Sequence, residues 1–208
     1  MTTAEADIDY PIHFDVTRDA TQSRLTNFPL GIGLFIRAIL LIPHLIIVYF
    51  LQIVASIIYL IATVAILFTG RYPRGLFNFY VGYSRWNNNV TGYLVSAYDK
   101  YPAFSMDAQN DYPLSYSVDY PENLNRILNF PIFGLFIKLI LLVPHLIIVY
   151  FLALAAMIVL IIAQFAILFT GSFPEGMHKF VIGVGRWNAR MGGYMVAMTD
   201  KYPPFSLS

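Results

Sequence analysis

Between Arg37 and Arg71 the chain runs for 33 residues without a formal charge, and between Lys138 and Glu175 it does so again for 36. Each stretch exceeds the roughly 20 apolar residues that carry a helix across a bilayer core about 30 Å thick. A soluble domain would have to bury both completely, and a chain that is 58% hydrophobic and 12% charged has little polar surface with which to cover them. The predicted class is therefore an all-α integral membrane protein. With 13 Lys and Arg against 12 Asp and Glu, there is no basic excess to hold a phosphate backbone, which excludes nucleic acid as a partner. Residues 1–27 are polar and contain no apolar core of a signal peptide, so none is expected. The absence of cysteine removes thiolate metal sites, thiol nucleophiles and lipoprotein anchors.

The chain is one unit written twice. Setting residues 33–105 over 134–206 without gaps gives 42 identities in 73 positions. PHLIIVYFL recurs at 43–51 and 144–152, AILFTG at 65–70 and 166–171, RWN at 85–87 and 186–188, and DKYP at 99–102 and 200–203. Upstream, after a slip of one residue, Asp9-Tyr10-Pro11 matches Asp111-Tyr112-Pro113 and Asn27-Phe28-Pro29 matches Asn129-Phe130-Pro131. Proline and polar positions coincide as well as apolar ones, which marks duplication rather than shared hydrophobicity. The expected layout is a tail at 1–7, repeat 1 at 8–105, a linker at 106–109 and repeat 2 at 110–208.

The order of these words resembles the bacterial domain-of-unknown-function family 4389. The words are an N-terminal Tyr-Pro, an apolar block with Pro-His, ILFTGRYPRG at 66–75, an Arg-Trp ten residues on, and a closing YPPF-like word at 101–104 and 202–205. The resemblance spans nearly the whole chain, once per repeat, and implies membrane location without an activity or catalytic residues. The second copy departs from it at Ser172 and Glu175, where the first has Arg71 and Arg74.

Each apolar block, 28–69 and 130–170, would be about 63 Å long as helix, twice a bilayer core. Copies so alike should insert the same way round, which requires an even number of passes per copy. The expectation is a transmembrane hairpin in each block, four spans in all, turning near 52–56 and 153–157. Arg24, Arg37, Arg71, Arg74 and Arg85 would then share one face, cytoplasmic by the positive-inside rule, with both termini on that side of the cell membrane. Between His44 and Thr69 no Gly, Pro or Asn marks a turn, so the alternative is a helix bent at Pro43 and Pro144, with Ile42 and Val143 as bend positions, or a re-entrant hairpin that never reaches the far surface. Arg37 and Lys138, near the block starts, are expected to snorkel to the surface.

After each block, residues 76–98 and 177–199 read as a helix with a polar stripe (Asn78, Arg85, Asn89; Lys179, Arg186, Arg190) opposite an aromatic and aliphatic arc. That pattern predicts an amphipathic helix lying in the headgroup plane. The segments 8–16 with 101–104, and 114–120 with 202–205, alternate loosely and could be short edge strands pairing the ends of each copy.

Two constellations carry chemistry. His44 and His145 each follow a proline at matching positions, and could ligate a haem or pigment if packing brings them together, or bond carbonyls freed by the proline. Arg85-Trp86-Asn87 and Arg186-Trp187-Asn188 combine interfacial Trp with a fork of donors suited to lipid phosphate; Asn87, on the apolar arc, would need a partner such as His44. The sequence contains no GxSxG, HExxH or phosphate loop, and no carboxylate pair in an apolar setting, so no catalysis, metal or cofactor is expected. Function is read as a non-enzymatic accessory or scaffold subunit in contact with lipids, other membrane proteins or itself. The alternatives are lipid or amphiphile binding or transport in a groove between repeats with Arg85 and Arg186 at the headgroups, and cofactor ligation through the two histidines.

Overall fold

The computed structural model describes residues 9–208; the expected tail at 1–7 lies outside them. The elements run β1 (Ile12–Val16), α1 (Ile32–Leu40), α2 (Ile42–Thr69), α3 (Arg74–Leu94), β2 (Leu114–Val118), α4 (Phe133–Thr170) and α5 (Glu175–Met195). Both apolar blocks are helical, but neither folds into a hairpin. In the first copy the chain is helical through Gln52–Ser56, broken only at Leu41, which itself keeps helical dihedrals. In the second a single helix of 38 residues carries Pro144 within it. The proline ring lacks an N–H, and in the first copy the helix assignment is interrupted two residues before Pro43. A turn inside the block has no residue to make it, and the helix therefore continues.

The turn comes instead where glycine allows it. Gly70 and Gly171 close α2 and α4 in the left-handed conformation, φ +70° and +77°, each donating its N–H to the carbonyl four residues back. The Pro-Arg and Pro-Glu words then start α3 and α5. These helices run back antiparallel along the long ones: Tyr72 meets Phe77 beside the turn, Gln52 bonds Tyr83, and His44 reaches Trp86. The chain thus reverses at these glycines and runs back as α3 and α5. They do not lie separately at a surface: Arg85 and Arg186 of the polar stripe bond the other copy's strand and Asn89 and Arg190 are buried, while Asn78 and Lys179 stay exposed. Arg37 and Arg71 sit at opposite ends of the α1–α2 rod, so the arginines do not share one face, and the charge argument for cytoplasmic termini loses its basis.

The strands exist, and each copy's strand pairs with the other copy's. β1 and β2 are antiparallel, with Phe14 opposite Tyr116 at the centre of the register. Those two residues are each other's counterparts in the repeat, so a pseudo-two-fold axis passes between them. Each strand lies on the opposite copy's return helix, β1 on α5 and β2 on α3. The exchanged arms repeat their main bonds reciprocally. Gln22 N–H donates to Gly171 O and Leu124 N–H to Gly70 O, both at 2.8 Å; Tyr10 hydroxyl reaches Lys201 O and Tyr112 hydroxyl reaches Lys100 O. Lys100 pairs with Asp111 and Lys201 with Asp9. The segments 101–104 and 202–205 form no strand.

A candidate functional site between the copies

Inside each copy a buried cation is caged by acceptors. Arg37 and Lys138 do not snorkel; both are 0% exposed. The Arg37 guanidinium donates to Thr26 O at 2.8 Å, Tyr93 O at 2.7 Å, Tyr98 O at 3.0 Å and Asn27 Oδ1 at 2.9 Å, and pairs with Asp99. Lys138, with fewer donors, bonds Asn129 Oδ1 at 2.6 Å and Tyr194 O at 2.8 Å. Aromatic faces complete both cages, with Tyr93 beneath Arg37 and Tyr194 near Lys138. A buried cation is tolerated only when its donors are matched this way.

His44 and His145 are held identically. Trp86 Nε1 donates to His44 Nδ1 at 3.0 Å and Trp187 Nε1 to His145 Nδ1 at 2.8 Å, so each imidazole is accepting at that nitrogen. Phe104 stacks on His44 at 3.8 Å between centroids and Phe205 on His145 at 3.9 Å, while Tyr101 and Tyr202 meet the rings edge-on. Each histidine is thus enclosed by its own copy's aromatics, with Nδ1 accepting and one face covered, while Nε2 of each is buried and makes no hydrogen bond to the described residues. It is Trp86, not Asn87, that answers His44. Pro43 and Pro144 stand one residue before these rings.

Arg85 and Arg186 turn into the protein. Arg85 Nε donates to Tyr116 O at 3.0 Å and Nη1 to Met106 O at 2.7 Å; Arg186 donates to Phe14 O at 2.8 Å and Leu207 O at 2.9 Å, and pairs with Asp15. Each fork clamps the other copy's strand to its own copy's C-terminal loop. Met106, at the expected linker, is part of that clamp.

The one feature that all these elements build together is a cavity of about 550 Å3 on the pseudo-two-fold axis. α3 forms one wall and α5 the other, β1 and β2 close it at Phe14 and Tyr116, and α4 and Gln52 of α2 complete it. No charged side chain and no histidine lines it. Asn87 and Asn188, singled out in the sequence for lipid or partner contact, both reach it. Asn188 Nδ2 donates to Val184 O at 2.9 Å, whereas the side chains of Asn87, Asn88 and Thr91 make no hydrogen bond to the described residues. Its volume is in the range of small-molecule sites. The words that the copies share do not point to it. The available signal was where they differ, at positions four and seven apart on the return helices. Among the described residues no group of three His, Asp or Glu side chains could hold a metal ion.

Comparison with known proteins places the fold in a family. A family model described as Domain of unknown function (DUF4389) matches residues 32–106 and again residues 134–206, well over half of the chain. No curated protein and no solved structure matches.

Proposed function

The chain is a two-copy member of the family described as Domain of unknown function (DUF4389), and we propose that it is a multi-pass protein of the cell membrane acting as a non-enzymatic accessory or scaffold subunit. One observation carries this reading. α2 and α4 are long and apolar enough to cross a bilayer, yet only 22% and 17% of their most apolar windows are buried within the protein. A core helix of a soluble domain passes the same length test but is covered by its neighbours; these are bare on most of their circumference. On α2 the covered stripe is His44, Val48, Ala55, Ala62 and Ile66, and residues such as Tyr49, Phe50, Ile53, Ile57 and Ile61 face outward. α4 repeats this with Tyr150, Phe151, Ile158 and Ile162. A helix lying at a membrane surface keeps a polar side toward water, and neither helix has one. Lipid tails and apolar faces of other membrane proteins are the surroundings that suit such surfaces.

The test is reconstitution with spin labels at Phe50→Cys, Ile57→Cys and Val64→Cys, singly. Immersion predicts high accessibility to oxygen and low accessibility to a water-soluble nickel relaxant at all three sites. High nickel accessibility at Ile57 would sink the reading. A second reading, amphiphile binding, is favoured by the cavity on the axis, with the correction that Arg85 and Arg186 clamp strands and do not line it.

A further inference from the structure

The two walls of the cavity descend from the same sequence, and they have diverged in one direction. On the first copy's side stand Gln52, Tyr80, Tyr83, Ser84, Asn88 and Thr91; their counterparts across the axis are Ala153, Val181, Val184, Gly185, Ala189 and Gly192. At all six pairs a hydrogen-bonding side chain faces an aliphatic side chain or a glycine, while Asn87 and Asn188 are alike. The strand residues follow suit, since Tyr116 lies on α3 and Phe14 packs against Gly185 of α5. Some buried polar sets outside the cavity are shared by the copies, as with His44 and Trp86 against His145 and Trp187, or Asn27 against Asn129, whereas single positions such as Phe77 against His178 differ without forming a stripe. A wall that only had to pack would have no need of this polarity, because Asn87, Asn88 and Thr91 spend no hydrogen bond on the fold.

The spacing adds shape to the chemistry. Tyr80, Ser84, Asn87 or Asn88, and Thr91 recur at helical intervals along one side of α3, a polar stripe about 16 Å long from residue 80 to residue 91. Positions 181, 185, 189 and 192 of α5 form the matching apolar stripe. With no charged side chain at the lining, an ionised ligand would be desolvated without a counter-charge. We propose that the cavity binds an uncharged, facially amphipathic molecule, with hydroxyl or amide groups along one long side turned to α3 and a hydrocarbon face against α5. This rests on the amphiphile-binding reading and names its ligand class.

A fused-ring ester with hydroxyls on one face supplies the probe. Methyl cholate has three such hydroxyls, methyl cholanate has none, and cholate is the anionic counterpart of the first. Each is titrated into the purified full chain in maltoside detergent and complexes are counted by native mass spectrometry. The expected result is saturable 1:1 binding of methyl cholate, at least about tenfold tighter than methyl cholanate or cholate, from hydrogen bonds made on one face only. The Gly192→Phe variant fills the cavity from a helical position where an added Cβ meets no atom within 4 Å, and it should abolish binding with the melting temperature kept. The double variant N88A/T91A gives the polar wall the character of the opposite one; it should retain binding and lose the preference, which keeps the proposal testable if Gly192→Phe does not fold. Equal binding of the two esters, lost in Gly192→Phe, would leave the cavity as an amphiphile site and overturn the two-faced ligand. Absence of saturable binding, or binding undiminished in Gly192→Phe, would overturn both.

Discussion

At the residue scale, buried polar groups in this protein act through partners far away in the chain. Arg37 looks like a snorkelling residue because its own helix offers nothing else; the carbonyls of Tyr93 and Tyr98 that receive it lie 56 and 61 residues on. The same holds for the tryptophans, which the sequence marks as interfacial and the fold uses as donors to histidine. Trp86→Phe keeps the ring contacts with His44 and Phe104 but leaves a buried acceptor unanswered. It should lower unfolding free energy by about 1–3 kcal/mol, measured in detergent by denaturant titration. His178 offers a pH test. It donates from Nε2 to Ala97 O across the copies at 3.0 Å, and burial, the largest influence, lowers its pKa, with the Ala97 carbonyl opposing and Arg18, Asp19 and Asp15 acting from nearby. A folded pKa below the unfolded value of about 6.5 means that the unfolded chain binds the proton first as pH falls. Stability attributable to this group is therefore complete above about pH 6.5 and declines below it toward the lowered folded value. His178→Phe, which installs the first copy's residue at this position, should flatten the wild-type loss of melting temperature between pH 7 and 5.5; an unchanged slope would count against it.

At the scale of elements, a helix continues unless something stops it. Length divided by bilayer thickness suggested two spans per block, but no residue inside 44–69 can reverse the chain, and the only glycine with a left-handed backbone near the end of that block is Gly70. The composition of α3 and α5 is amphipathic, yet amphipathicity alone does not say whether the polar side faces headgroups or another part of the protein. Strand formation was legible from alternation in 12–16 and 114–118, and the strand partner was not, because pairing is decided by which edge lies across the axis. The start of each apolar helix depends on a close backbone approach. A Cβ on Gly134 would meet Leu128 O at 2.5 Å and further backbone atoms of 128–129 within about 3.1 Å. Backbone atoms cannot rotate away, so Gly134→Ala should cost about 2–3 kcal/mol, whereas Gly176→Ala, with nothing within 4 Å, should be near neutral. Paired thermal melts of the two variants check the contrast.

At the scale of the whole molecule, the two copies are interlocked rather than strung together. Arms carrying β1 and β2 cross to the opposite return helix, and the Arg85 and Arg186 clamps fix them there. A single copy thus lacks the strand and helix that its arm requires. Residues 1–109 expressed alone should form a symmetric dimer with Phe14 opposite its own copy, since a two-fold interface reproduces every reciprocal bond; light scattering in detergent showing a stable monomer would refute this. The sequence by itself determined the duplication, the helical blocks and their apolar surface, because period, composition and repeated words are properties of neighbours along the chain. It left open where each block turns back, which copy each strand joins, and what the arginines and histidines repeated in both copies hold. Those are settled by folding, because each depends on groups from distant segments meeting across one axis. The cavity, whose walls are read in sequence as unremarkable differences between repeats, becomes a two-sided site only when α3 and α5 are set face to face.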